Sequence, residues 1–163
     1  GVAHAALGDR EAALVELAAI EALEPQVDET FMGNVYPARD LLEIAKSLLR
    51  GEMAYRAGDA ANAVFAFEAA VALQDALPYT EPPFWYYPTR QSLGAALLAI
   101  GRVAEAQAVF EEDLEQYPMN GWSMFGLAEA LRLQGDEAGA AQMSARFETV
   151  WQFADVSLAT SIL

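Results

Sequence analysis

Small and apolar residues recur along this chain at fixed distances from four glycines, and polar residues follow each glycine at the start of the next apolar run. Around Gly101, Leu93 and Gly94 stand eight and seven residues before, and Ala106, Phe110 and Pro118 stand five, nine and seventeen after. Gly135 lies 34 residues further on; Leu127, Ala128 and Ala140 hold the matching places, with Ser144 and Gln152 where the aromatic and the proline were. Gly58 repeats the pattern with Gly51, Ala63, Phe67 and Ala70, and Gly8 with Ala13, Leu17, Ile20 and Pro25. Alanine is abundant throughout, so any one of these small residues means little. Fixed offsets around four glycines do not follow from composition.

The pattern predicts helix–turn–helix units. A glycine at the end of a helix adopts the left-handed conformation that caps the last carbonyls. Asp9, Asp59 and Asp136 follow immediately and are placed to accept from the free N–H groups of a second helix. Pro25 and Pro118 stop that second helix, because proline lacks an N–H and clashes with the preceding turn. A long helix is predicted from Pro37 to Ala57 and a last one from Asp136 to about Phe153. Small residues at Gly94, Ala63, Ala106 and Ala140 let paired helices approach, while Phe67 and Phe110 fill the space between neighbouring units.

A helix–turn–helix period of 34 residues marks a solenoid. On these markers the chain resembles the tetratricopeptide repeat (TPR) family over most of its length. The resemblance implies an all-α fold, a right-handed α-α superhelix of about three and a half repeats in one array. Residues 1–25 form a truncated first repeat, 37–76 a second, 89–118 a third and 120–152 a fourth; 153–163 form a tail or cap. Gly8 to Gly58 spans 50 residues and Gly58 to Gly101 spans 43, so excesses of 16 and 9 are read as insertions, near Pro25–Pro37 and at 77–88. Insertions in such arrays usually fall on one face, often the binding face.

Residue 1 is a glycine within a repeat, so removed upstream sequence or a covering partner chain is expected at that end. The apolar tail with Val156, Leu158, Ile162 and Leu163 either packs back as a cap or is a sticky terminus. The segment from Glu81 to Arg90, with Ser92-Leu93-Gly94 and Asn120-Gly121-Trp122, resembles the C-terminal region of larger bacterial TPR proteins. That implies further repeats upstream and a cytoplasmic bacterial setting, and it carries no activity across.

In the TPR family, first helices line a concave groove that holds peptide ligands. Positions matching that groove are Ala45, Leu48, Glu52, Tyr55 and Arg56; Pro88, Gln91, Ala95, Leu98 and Ala99; and Trp122, Phe125, Glu129, Arg132 and Leu133. Spacings of three and four set each group on one helical face. Two readings of this face stand. Trp122 and Phe125 pack between repeats, or Tyr55, Arg56, Trp122, Phe125 and Arg132 form an aromatic floor with charged rims, of the residue types that dominate binding hot spots. TPR modules that clamp a C-terminal carboxylate use Lys and Asn here; this chain has Ala, Leu, Glu, Gln and Trp instead, which disfavours that ligand.

The 77–88 insertion sets Tyr79, Phe84, Trp85, Tyr86 and Tyr87 among four prolines, a stiff loop rather than a floppy linker. Either it folds over the groove or an adjacent helix and buries its rings, or Trp85 and Tyr87 form one wall of a ligand pocket with Glu81 and Arg90 as polar anchors.

Composition narrows the function. A net charge of −15 argues against nucleic acid, which demands clustered Lys and Arg, and against anionic membranes. Basic or neutral peptides and proteins are the permitted partners, although acidity also simply keeps an alanine-rich surface soluble. No apolar stretch approaches the ~20 residues of a membrane helix, and no secretory signal pattern is present. With no cysteine and a lone His4, a thiolate or multi-histidine metal site is not expected. No P-loop, dinucleotide fingerprint or nucleophile elbow occurs. Neither catalytic residues, cofactor nor metal is therefore expected. The leading expectation is a non-catalytic protein-interaction module in which charge reversal at Arg56 or Arg132 weakens binding without unfolding the chain. The alternatives are a ligand- or substrate-recognition tail of a larger enzyme whose catalytic part lies upstream, and a scaffold that forms homo-oligomers through exposed repeat ends.

Overall fold

The protein is described by a computed structural model covering residues 1–28, 30–33 and 35–162. Glu29 and Asn34, in the expected first insertion, and Leu163, in the expected apolar tail, lie outside the described residues. The chain is all-helical apart from one very short strand pair, and it divides into two compact units, Gly1–Thr89 and the residues from Arg90 onward.

The first unit holds α1 (Val2–Ala6), α2 (Arg10–Leu23), a 3-10 turn (Glu24–Gln26), β1 (Met32–Gly33), β2 (Tyr36–Pro37), α3 (Ala38–Arg56) and α4 (Ala60–Asp75). Helix α3 is its centre, packed against α1, α2 and α4. One core joins Ala5, Ala13, Leu49 and Met53, with Val2, Leu17 and Ile20 against it. On the α4 side, a Cβ added at Gly51 would stand 2.4 Å from the Phe67 ring. Glycine is thus what allows the ring to lie on the helix backbone. Three basic residues of α3 tie the preceding segment down. Arg39 Nε donates to the Val27 carbonyl at 2.9 Å, Lys46 to Glu24 at 2.6 Å, and Arg50 to Glu21 at 2.6 Å.

The second unit comprises α5 (Thr89–Ala99, its first residue at the boundary), α6 (Val103–Gln116), α7 (Gly121–Leu133) and α8 (Glu137–Trp151). Helix α7 packs on both α6 and α8. The Phe110 ring of α6 is held between two glycines. A Cβ at Gly94 would come within 2.3 Å of it, and one at Gly126 within 2.2 Å. Gly94 belongs to the repeat pattern; Gly126 does not, and sequence reasoning missed it.

All four turn glycines have positive φ, between 76° and 82°. Each closes the same motif. The residue after the glycine donates back five positions, as in Asp9 to His4 at 2.9 Å and Asp136 to Leu131 at 3.0 Å, and the glycine donates back three. Nothing lies within 4 Å of where a Cβ would sit at any of the four, so backbone conformation alone selects glycine. The aspartate caps form as expected: Asp9, Asp59 and Asp136 accept from Ala12, Asn62 and Gly139 at 3.0, 3.2 and 2.9 Å. The third turn differs, since Arg102 stands in the capping place without a side-chain cap and instead pairs with Glu105. Pro118 follows the end of α6 by two residues, and Pro25 lies in the 3-10 turn just after α2.

The β1–β2 pair, Met32 opposite Pro37 and Gly33 opposite Tyr36, sits inside the first insertion and has no counterpart in the helical pattern. It meets the second insertion. Buried Tyr36 packs against Phe84 with ring centres 4.8 Å apart and tilted by 31°, and its hydroxyl hydrogen-bonds Thr80. Residues 93–99, which carry the repeat markers before Gly101, are helical.

Candidate functional site

The face on α7 and α8 gathers four of the expected site residues, Trp122, Phe125, Glu129 and Arg132. Asn120 caps α7 by accepting from Trp122 N–H at 3.1 Å, which fixes where the helix starts. Spacings of three and four then set Trp122, Phe125, Glu129 and Arg132 along one side. Helix α8, capped by Asp136, runs back with Ala140, Ala141, Ser144, Phe147 and Trp151 facing them. The rings form a continuous ladder across the two helices. Trp122 meets Trp151 edge-on at 5.6 Å, Trp151 stacks on Phe147 at 5.4 Å, and Phe147 meets Phe125 edge-on at 5.6 Å. Gly121 makes room for this, because a Cβ there would stand 2.5 Å from the Trp151 ring.

None of the four rings is fully buried. Beside them an open groove of about 280 Å³ is lined by Phe125, Ala128, Glu129, Arg132, Glu137, Ala140, Ala141, Ser144 and Phe147. Arg132 donates to Glu129, and that bond, with the charges of Glu129 and Glu137, holds the guanidinium firmly protonated. Sequence reasoning found Trp122, Phe125, Glu129 and Arg132 but not Phe147 and Trp151. Their signal was present in the i, i+3, i+7 stripe of Ser144, Phe147 and Trp151, but the repeat template drew attention to the missing aromatic at 144.

The tail packs back at the Trp151 end rather than over the groove. Trp151 Nε1 donates to the Val156 carbonyl at 2.8 Å, Ser161 Oγ donates to the Gln91 carbonyl at 3.0 Å, and Ile162 is buried. Of the two alternatives for this segment, capping is the one seen for Ser161 and Ile162, while Val156 remains exposed.

Arg90 and Gln91, expected on a ligand-facing surface, are instead inside the second unit. Arg90 donates to Glu112 at 2.9 Å, and Gln91 accepts from Asn120 at 3.1 Å. Their neighbour Asp113 is 1% exposed and accepts from Ser123 Oγ at 2.6 Å and Asn120 Nδ2 at 2.7 Å. Burial pushes its carboxyl above the usual aspartate range, against the pull of those two hydrogen bonds and the Arg90 charge. This network positions the start of α7 and hence the first rungs of the ladder.

The first-unit candidates make a different arrangement. Glu52 is 2% exposed and accepts from Arg56 Nε at 2.8 Å; burial raises its carboxyl pKa, against the Arg56 bond and charge. The Arg56 guanidinium lies 6.0 Å from the Tyr55 ring centre. Arg56 also borders a small cleft of about 120 Å³ with Ala5, Gly8, Arg10, Met53 and Ala57. In the 77–88 loop, Trp85 and Tyr87 are half-buried, and the Trp85 Nε1 is buried without a hydrogen-bond partner. Tyr79 and Tyr86 are more than four-fifths exposed, and Glu81 bonds Tyr79.

Among the described residues no three acidic or histidine side chains gather as a metal ion would require. Among the described residues, no helix is long and apolar enough to cross a membrane. Neither a protein-family model, nor a curated protein, nor a solved structure matches the chain.

Proposed function

We propose that the chain is a helical-repeat module of the TPR kind, a right-handed superhelical array, which binds a segment of another protein and performs no catalysis itself. The repeat reading is supported by four glycine turns with the same positive φ and the same backbone hydrogen bonds, two of them one 34-residue period apart. The binding reading rests on one observation above others: four partly exposed rings stacked beside an open groove. The chain's own tail meets the ladder only at Trp151 and contributes no residue to the groove lining. Aromatic and arginine side chains in such a setting are the usual anchors of a protein interface.

A protein partner fits the charge better than a nucleic acid does. Lys46, Arg50, Arg56, Arg90, Arg102 and Arg132 all pair with carboxylates of the chain itself, so few cations are left to contact phosphates.

Ala141 provides the test. It lines the groove yet is exposed, so Ala141→Arg fills the groove without entering the core. Peptides selected from a random display library on the wild-type chain are expected to lose binding to A141R. A selected set that binds both chains equally would remove this groove as the site.

A further inference from the structure

We infer that the α7–α8 groove holds one amphipathic α-helix whose apolar ridge is flanked by Lys or Arg. This rests on the interaction reading above and specifies its partner. Shape is the first argument. The floor is made of small residues, Ala128 on α7 and Ala140, Ala141 and Ser144 on α8, with Phe125 and Phe147 rising beside it. Two antiparallel helices with small residues along their seam leave a trough into which the side-chain ridge of a third helix settles at ordinary interhelical distances. An extended strand finds no unpaired backbone edge there, because both walls are helical and bond internally.

Length is the second argument. From Ala140 to Trp151 the helical rise spans about 16 Å, or three turns, which suits anchors at i, i+4, i+7 and i+11. Alanines line one end of the trough and the rings of Phe125 and Phe147 the other. The partner's bulkiest anchor therefore belongs over Ala140 and Ala141, and its smaller ones over Phe147.

Charge settles the flanks. Glu129 and Glu137 line the groove, and Glu148 falls on the same stripe of α8 as Ala141 and Ser144 and is exposed. The one cation of the lining, Arg132, is held by Glu129. A second copy of this chain is the wrong occupant. Each copy bears a net charge of −15 and would bring like charge to a groove lined by Glu129 and Glu137.

The experiment uses the full chain and three synthetic peptides of about 18 residues with one shared leucine ridge. One has lysine flanks, the second glutamate flanks, and the third lysine flanks with two central prolines that break the helix. Titration calorimetry at low salt should show binding of the first, and about tenfold or greater weakening for each of the others. Ala141→Arg should abolish the binding, and Glu148→Lys with Glu137→Gln should weaken it by about tenfold. Circular dichroism checks that both variants keep wild-type helicity. Equal binding of the proline-broken peptide, still lost in A141R, would overturn the helical partner while leaving the groove as the interaction site. Binding of the lysine helix that ignores A141R would place it elsewhere and overturn the inference. Binding by none of the three would overturn it too, and the library selection judges the broader reading separately.

Discussion

Asp113 is a carboxylate buried at the seam of α6 and α7, held by Ser123 and Asn120. Removing it takes the acceptor from the buried Ser123 hydroxyl, while Asn120 keeps its bond to Gln91, so Asp113→Ala should cost ~1–3 kcal/mol in urea unfolding. Asp113→Asn keeps one acceptor and should cost less. The two also differ in pH response. The folded chain holds the Asp113 proton more tightly than the unfolded chain does, because burial penalises the ionised form. Its contribution to stability is therefore greatest below the ordinary aspartate range and falls as pH rises from there through the higher folded value. Measured against D113N, the wild type should lose stability across that window; parallel curves would show that Asp113 ionises freely. Glu52 changes how a second residue is to be used. Its carboxylate is 2% exposed and accepts from Arg56. Arg56→Glu would set a second negative charge against a buried one, at about 2–3 kcal/mol, less than a fully buried pair because Arg56 is partly in water. Charge reversal there tests the fold of the first unit. Arg132, an exposed residue on the groove, remains the position at which reversal reports on binding.

At the level of helices, glycine serves two separable purposes. Gly101 has φ of +76° and open space around it, so Gly101→Ala should cost roughly 1 kcal/mol through the backbone alone. Gly94 faces the Phe110 ring at 2.3 Å, so Gly94→Ala should overpack the α5–α6 contact by ~1–3 kcal/mol. Phe110→Leu in the same chain should recover part of the loss at Gly94 and none at Gly101. A double-mutant cycle measures this coupling, and additive effects would mean the ring does not press on Gly94. By the same logic Ala106→Leu and Ala63→Leu should destabilise, while Ala104→Leu, at an exposed position, should be nearly silent. These elements were legible because each marker acts locally. A left-handed glycine and an aspartate cap are specified within five residues of one another. The β1–β2 pair was not legible, since Tyr36 packs on Phe84, 48 positions away. The groove was half legible for a related reason. Trp122 and Phe125 stood out on α7, but their partners lie one helix on: Phe147 holds the place of Ile20 and Ala70, where the pattern asks only for an apolar residue, and Trp151 falls on no marker.

For the molecule as a whole, the balance of charge governs both stability and binding. Twenty-four acidic residues face nine basic ones, so most carboxylates have no cation to answer them. Exposed ion pairs contribute at most about 1 kcal/mol each, whereas an excess of fifteen like charges acts against the compact state everywhere at once. Screening should therefore help the fold more than it harms the pairs. Raising NaCl from about 10 to 150 mM shortens the screening length from roughly 30 to 8 Å, and the melting temperature should rise by several degrees and then level off. Scanning calorimetry checks this; a fall would mean that ties such as Lys46–Glu24 and Arg50–Glu21 outweigh the repulsion. A cationic helix in the α7–α8 groove must respond the other way, since its attraction to Glu129, Glu137 and Glu148 is screened by the same ions. Salt that stabilises the free protein should thus weaken the complex, and the opposite signs separate a charge-guided partner from one held by the rings alone.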